Sequence, residues 1–203
     1  MIILIENIIE NIKQPLPGKR AHKELAPYRN EIELDFKNKN PKIASILLLI
    51  YPKNDSLFFC LIQRNEYNGT HSNQISFPGG KVDAEDKNPV DTAYREAFEE
   101  IGLSEKHIKR LGYLDITTTG TNYMILPVVG LIDIDFLPKI NRNEVEDIIY
   151  LPLEFIEHKN NLKYVDKEFN GTRKSFYLYQ YKEYSIWGAT ARILKTLSER
   201  FFQ

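Results

Sequence analysis

Four charged residues packed into six positions, Arg95, Glu96, Glu99 and Glu100, are the part of this chain best suited to chemistry. On a helix, positions three and four apart share a face, so the three glutamates bring their carboxylates together. Such a cluster repels itself unless positive charge sits within it. Carboxylate oxygens are hard ligands, and a group of them without Cys or His suits Mg²⁺ or Mn²⁺ rather than zinc. Such ions bridge phosphate oxygens and lower the pKa of a bound water. The other reading, a solvated acidic helix face, is the usual meaning of a charge run. A glycine turn just upstream, Gly79-Gly80, and an acidic loop through Asp86 favour the site over the face.

The elements that must position these groups follow from the pattern around them. Val90, Ala93, Tyr94, Ala97, Phe98 and Ile101 form an apolar stripe suited to a core, and Gly102 supplies the left-handed residue that ends a helix. Ahead of the turn, Lys42–Tyr51 and Leu57–Gln63 read as strands, the first continuously apolar from Ile46 to Ile50, as a strand covered on both faces would be. A short extended run at Gln74–Phe77 leads into the glycines. Behind the helix, Lys109–Thr118 and Met124–Ile132 read as strands with a turn around Gly120, and Pro127 hints at an edge or a bulge. Asn143–Tyr150 is a further strand, Leu151–Phe155 opens a short helix, and Leu162–Phe169 with Lys174–Tyr181 forms a hairpin across Asn170-Gly171. Ser185–Phe202 has a helical pattern at Ile186, Ala189, Ile193, Leu194 and Leu197. Strands on both sides of a central helix indicate a mixed α/β architecture.

The stretch resembles the Nudix box: Gly, five residues, Glu, seven residues, then Arg-Glu-aliphatic-any-Glu-Glu-any-Gly-aliphatic. Here it runs from Gly80 through five residues to Asp86, then eight residues to Arg95-Glu96-Ala97-Phe98-Glu99-Glu100-Ile101-Gly102-Leu103. Asp86 in place of glutamate and one extra residue before Arg95 are departures that the coenzyme A pyrophosphatase-like branch tolerates. The resemblance implies the Nudix α-β-α sandwich with a mixed sheet over residues 40–203, preceded by an N-terminal helix and connection, 1–39, packing on the body. It implies metal binding by Glu96, Glu99, Glu100 and the Gly80 carbonyl, and catalytic positions at Arg95, Glu99, Glu100 and Glu144. Arg95 is expected to pair with Asp86, as an exposed pair of small energetic weight. The general base is a glutamate of the box or of the later segment holding Glu144, Glu146 and Asp147, where Glu144 best matches the branch.

A second signature of that branch precedes its Phe-Pro-Gly-Gly: Leu-Leu-Thr-any-Arg, Ser or Ala, then Arg and Gly at four-residue intervals. This chain keeps the spacing, with Leu61, Arg64 and Phe77-Pro78-Gly79-Gly80, but has Cys60, Ile62, Asn65, Gly69 and Asn73 at the other defined positions. Gly69 stands where the branch has a second arginine. Arg64, His71 and Lys81 are the candidate phosphate contacts. Trp187-Gly188-Ala189-Thr190-Ala191 also resembles the branch, with Trp187 as an aromatic anchor for the final helix.

The resemblance implies a metal-dependent pyrophosphohydrolase with Mg²⁺ or Mn²⁺, acting on a small nucleoside diphosphate derivative. Coenzyme A or acyl-coenzyme A comes first, then a nucleotide sugar, a dinucleotide or a nucleoside triphosphate. A Nudix-fold sensor without catalysis is the remaining class, and three intact glutamates speak against it. Composition agrees. With 27 Lys and Arg against 28 Asp and Glu in 203 residues, no general field draws in nucleic acid or a membrane. The basic and aromatic hairpin at 162–184 is read as an ordinary two-sided strand pair rather than a nucleic-acid surface. A single cysteine, Cys60, excludes an internal disulfide and fits a reducing, cytoplasmic setting. Ile5, Ile8, Ile9 and Ile12 mark an amphipathic N-terminal helix that packs on the body or on a second copy, so a homodimer is compatible. Residues 15–41 read as a long surface connection.

Overall fold

The computed structural model describes residues 2–13, 40–65, 73–119, 121–132, 135–169 and 172–202. The expected connection at 15–41, apart from its last two residues, His71, Gly69, the turn residue Gly120 and the Asn170-Gly171 pair lie outside them.

The central sheet grows around β1, Lys42–Lys53, whose side chains are buried on both faces from Ala44 to Tyr51 apart from a half-buried Ile46. β1 pairs antiparallel with β2 (Ser56–Arg64) and, at its other end, with β4 (Gly79–Lys81). On its opposite edge it runs parallel to β7 (Tyr123–Ile132). β3 (Ile75–Ser76) and β8 (Val145–Pro152) pair with β2, while β5 (Ile108–Tyr113) and β6 (Thr117–Thr118) pair with β7. One parallel pair among antiparallel ones makes the sheet mixed, as expected. A second sheet holds β9 (Leu162–Phe169), β10 (Thr172–Tyr181) and β11 (Tyr184–Trp187).

Pro127 sits inside the sheet rather than at an edge, opposite Ile46 in the parallel pair. Its carbonyl accepts from the Leu114 N–H, so its nitrogen faces the same side, where β5 has ended and β6 has not begun. The missing donor costs no ladder bond there.

Helices cover both faces. α2 (Pro89–Ile101) packs on the Leu47, Leu49 and Tyr51 face through Ala93, Ala97 and Ile101. α1 (Ile2–Lys13) and α3 (Gly188–Phe201) share the Leu48 and Ile50 face, with Ile8, Ile12, Ile193, Leu194 and Leu197 in that core. Arg200 of α3 donates to the carbonyls of Asn11 and Ile12, tying down the end of α1. Two helical readings need correction. Ser185–Trp187 belongs to β11, because its alternation pairs it with β10, and the helix begins only at Gly188. Trp187 is 38% exposed beside Phe176 and is no buried anchor. Among the described residues no helix is long and apolar enough to cross a membrane.

Candidate active site

The local sequence builds α2 with defined ends. The Asn88 side chain accepts from the N–H groups of Val90 and Asp91, Pro89 fills the first helical position, and Gly102 closes the helix at φ 73°. Leu103 N–H reaches back to Ala97 O, completing the six-residue return that such a left-handed cap allows. The buried face differs from the expected stripe. Phe98 is 60% exposed, whereas Thr92 and Glu100 are buried. Residue 98 falls beyond the arc facing the sheet, and residue 100 falls within it.

That burial decides the character of Glu100. Its carboxylate accepts from Gly79 N–H at 2.9 Å and from Arg64 Nη1 at 3.1 Å, with 1% of the side chain exposed. Burial pushes its pKa up to about 8, outweighing the Gly79 N–H and the Arg64 charge, while Glu96 and Glu144 add like-charge repulsion. Glu96 is raised for the same first reason, burial, against the pull of Arg95. Its carboxylate lies directly on Gly80, where a β-carbon would come within 2.3 Å of Oε1. Gly79, at φ 151°, passes so close to Ser45 O and Ile46 Cα that no side chain fits. Gly79 is therefore required by close approach to backbone, while Gly80 leaves the space that the Glu96 carboxylate occupies.

Arg95 organises the outer side. Nε and Nη2 form a two-pronged bond to Asp86 at 3.0 and 2.9 Å, Nη1 serves Glu96 and Glu99 at 3.0 Å each, and Nη2 also reaches Lys81 O. Asp86 further accepts from Thr92 Oγ1 and Asp83 N–H. The expected partner is correct, but the pair is not an exposed one: the Asp86 side chain is 4% exposed. The Arg95 hydrogen bonds hold the Asp86 carboxyl well below the usual carboxylate range.

The structure thus gathers Gly80, Glu96, Glu100, Arg64 and Arg95, with Glu99 at the solvent edge, its side chain 46% exposed. Among the described residues no three carboxylates already converge as a closed cation cage. Glu100 is turned to Arg64, and Glu99 to Arg95. Of the later acidic residues, Glu144 faces the cluster closely enough to repel Glu96 and Glu100, whereas Asp147 is held by Tyr184 OH at 3.2 Å. The β2–β8 register shifts between Gln63 and Arg64, and it is Arg64, at the end of β2, that reaches Glu100. Lys81 contributes its carbonyl here, while its side chain belongs to the sheet face opposite α2, since it pairs with Ala44.

Two organisers escaped the sequence reading. Asn141 N–H donates to Glu100 O, and its side chain contacts both Asn143 N–H and Glu144. Asn65 donates from Nδ2 to Arg142 O and from its backbone to Glu144 O. Together they fasten the Glu144 loop to the end of α2 and to Arg64's strand. Asn-Arg-Asn-Glu carries the signal of a side-chain-capped turn, but nothing local says what that turn faces.

The NUDIX domain family model matches residues 41–170. An uncharacterized Nudix hydrolase, NudL, of Photorhabdus laumondii is 32% identical over 161 residues, covering 79% of this chain and 86% of the relative. NudL of Escherichia coli K12 is 32% identical over 138 residues, covering 68% of this chain and 72% of its own. Nudix hydrolase 22, chloroplastic, of Arabidopsis thaliana is 34% identical, but the chain spans about half of its length, 53%. Among solved structures, a MutT/nudix family protein from Enterococcus faecalis superimposes with TM-score 0.50 at 14% identity, covering 88% of this chain and 70% of that one, a likeness of fold alone. The chain therefore belongs to the Nudix hydrolase family, whose members act on phosphorus-containing anhydrides and generally use divalent metals such as Mg²⁺ or Mn²⁺.

Proposed function

We propose that this Nudix hydrolase cleaves the pyrophosphate bond of a nucleoside diphosphate derivative, with coenzyme A or acyl-coenzyme A as substrate. The observation that carries the reading is the carboxylate pair at the glycine turn, Glu100 on Gly79 N–H and Glu96 against Gly80. Both groups are desolvated and both have raised pKa values despite their arginine partners, so a divalent cation at their oxygens would favour the charged forms. Their oxygens and the Gly80 carbonyl are hard donors, so the residues fit Mg²⁺ or Mn²⁺. Glu96, Glu99 and Glu100 would hold it, exchanging Arg64 and Arg95 for the ion. When bound, such an ion neutralises phosphate charge and acidifies a water.

The chain's own groups do the rest. Glu144, carried on the Asn141 turn beside the cluster, accepts the proton of the attacking water. As the new P–O bond forms, the bond from phosphorus to the bridging oxygen breaks, and the leaving phosphate takes the electron pair. Arg64, released from Glu100, meets the charge developing on phosphate oxygens. Arg95 stays on Asp86 and keeps the acidic loop against α2, a positioning role. With coenzyme A the products are adenosine 3′,5′-bisphosphate and phosphopantetheine. The two branch signatures, Arg64 to Gly80 at unchanged spacing and Trp187-Gly188-Ala189-Thr190-Ala191, support that substrate. Gly69 in place of arginine favours a second reading, the same hydrolysis on a nucleotide sugar, dinucleotide or nucleoside triphosphate.

The test is a panel of coenzyme A, acyl-coenzyme A, an ADP-sugar, a dinucleotide and nucleoside triphosphates with Mg²⁺ or Mn²⁺. Products are identified by mass, for wild type and Glu100→Gln. Metal-dependent cleavage of coenzyme A that the substitution abolishes is expected. Cleavage of another member alone would keep the hydrolase and replace the substrate. Tight binding without any cleavage would leave a sensor.

A further inference from the structure

One aromatic ring in the described residues has two ammonium groups over it. Lys42 Nζ lies 5.7 Å and Lys81 Nζ 5.9 Å from the centre of the Tyr123 ring. The sheet register explains the convergence. Lys42 sits directly opposite Tyr123 across the β1–β7 pair, and Lys81 sits opposite Ala44 across the β1–β4 pair. Residues 42 and 44 of β1 share a face, so all three side chains stand on it, the face that α3 covers further along. Gly80, one residue before Lys81, points the other way, toward Glu96. The two faces of β4 thus carry different charges, carboxylates on one and ammonium groups on the other.

The arrangement is held from several sides. Lys42 N–H donates to Asn122 O, Asn122 Nδ2 to Asn40 O, and Tyr123 N–H to Thr119 Oγ1. Arg192 of α3, buried with 8% exposure, donates to Thr118 O in the strand turn that precedes Tyr123. Neither Lys42, Lys81 nor Arg192 has a carboxylate within ion-pair distance among the described residues. Ordinary surface lysines are free to swing apart. These two approach one ring, and neither has a carboxylate partner among the described residues.

We propose that Lys42, Lys81 and Tyr123 form an anion subsite for a phosphomonoester that the substrate carries away from the anhydride being cleaved. Lying across β4 from the carboxylates, the subsite selects substrates long enough to pass over that edge strand. It supplies cationic contacts that glycine at position 69 does not. The inference rests on the nucleotide-hydrolase reading above and names which end of the substrate these residues hold.

Calorimetric titration with adenosine 3′,5′-bisphosphate and with adenosine 5′-monophosphate tests it on the whole chain. Wild type is expected to bind the bisphosphate on the order of tenfold more tightly, one charge-assisted contact's worth. That ratio should fall to near one in Lys42→Ala/Lys81→Ala and survive in Lys42→Arg/Lys81→Arg, with matching melting temperatures checking the fold. A wild type without preference, or a preference untouched by the alanine pair, overturns the subsite. Cleavage of coenzyme A without any bisphosphate preference would remove the subsite alone. Bisphosphate preference in a protein that leaves coenzyme A intact would keep the subsite and refute the substrate.

Discussion

Replacing Gly80 by alanine separates the chemistry from the fold. The added methyl carbon would lie 2.3 Å from Glu96 Oε1, 2.4 Å from Cδ and 2.6 Å from Oε2, where ordinary contact begins at 3.4 Å. The carboxylate must therefore withdraw by about 1 Å, which its free rotations permit. Gly80 does not have a positive φ, so alanine is unstrained there. Reduced freedom of the unfolded chain contributes about 0.4–1 kcal/mol of stability. A displaced Glu96 rotamer costs about 0.5–1.5 kcal/mol, so the net change stays near zero. A displacement of about 1 Å in a charge-positioning group costs on the order of 100-fold in rate. The expected result is kcat/KM down about 100-fold on the substrate found in the panel, with the melting temperature within a few degrees of wild type. Gly79→Ala is the contrast. Its methyl would meet backbone, Ser45 O at 2.4 Å and Ile46 Cα at 2.6 Å, so it should lose stability first. If Gly80→Ala keeps kcat/KM within threefold of wild type, the placement of Glu96 is not essential and the site reading fails.

Asp86→Asn should destabilise the protein by about 2–3 kcal/mol at neutral pH, since it leaves Arg95 without its buried partner. Asp86 has a depressed folded pKa, so its stabilisation is fully present above the unfolded value of about 3.9 and is lost as pH falls through the folded one. The gap between wild type and variant in urea unfolding should therefore narrow from pH 6 toward pH 2, and a gap independent of pH would refute the assignment. On α2, Ile101→Ala should cost about 2–5 kcal/mol because Ile101 is fully buried, whereas the exposed Phe98→Ala should stay within about 0.5 kcal/mol. Equal losses in chemical denaturation would contradict the placement of the helix face.

The sequence alone determined the local elements and the identity of the reactive groups. A glycine turn, an acidic loop and a capped amphipathic helix are each encoded within a few residues, by φ requirements, capping side chains and a 3.6-residue period. Hence α2, β1, β2 and the hairpin of β9 and β10 were legible, as was the pairing of Arg95 with Asp86. The helical periodicity extended too far back at Ser185, where an apolar alternation of four residues fits strand and helix equally, until β10 supplies the hydrogen bonds. Similarly, Pro127 reads as an edge residue in isolation, yet a gap between β5 and β6 gives its nitrogen a place inside the sheet. Tertiary structure decided everything that depends on who faces whom. Phe98 and Glu100 are two residues apart, and only the angle at which α2 lies on β1 exposes the aromatic ring and buries the carboxylate. That burial raises the Glu100 pKa and draws Arg64, from 36 residues away, onto it. Asn141 acquires its role only because the chain returns to the end of α2 after β7. The grouping of Lys42, Lys81 and Tyr123 likewise exists only in the register of three strands. Charge type is written residue by residue, but desolvation and convergence are properties of packing.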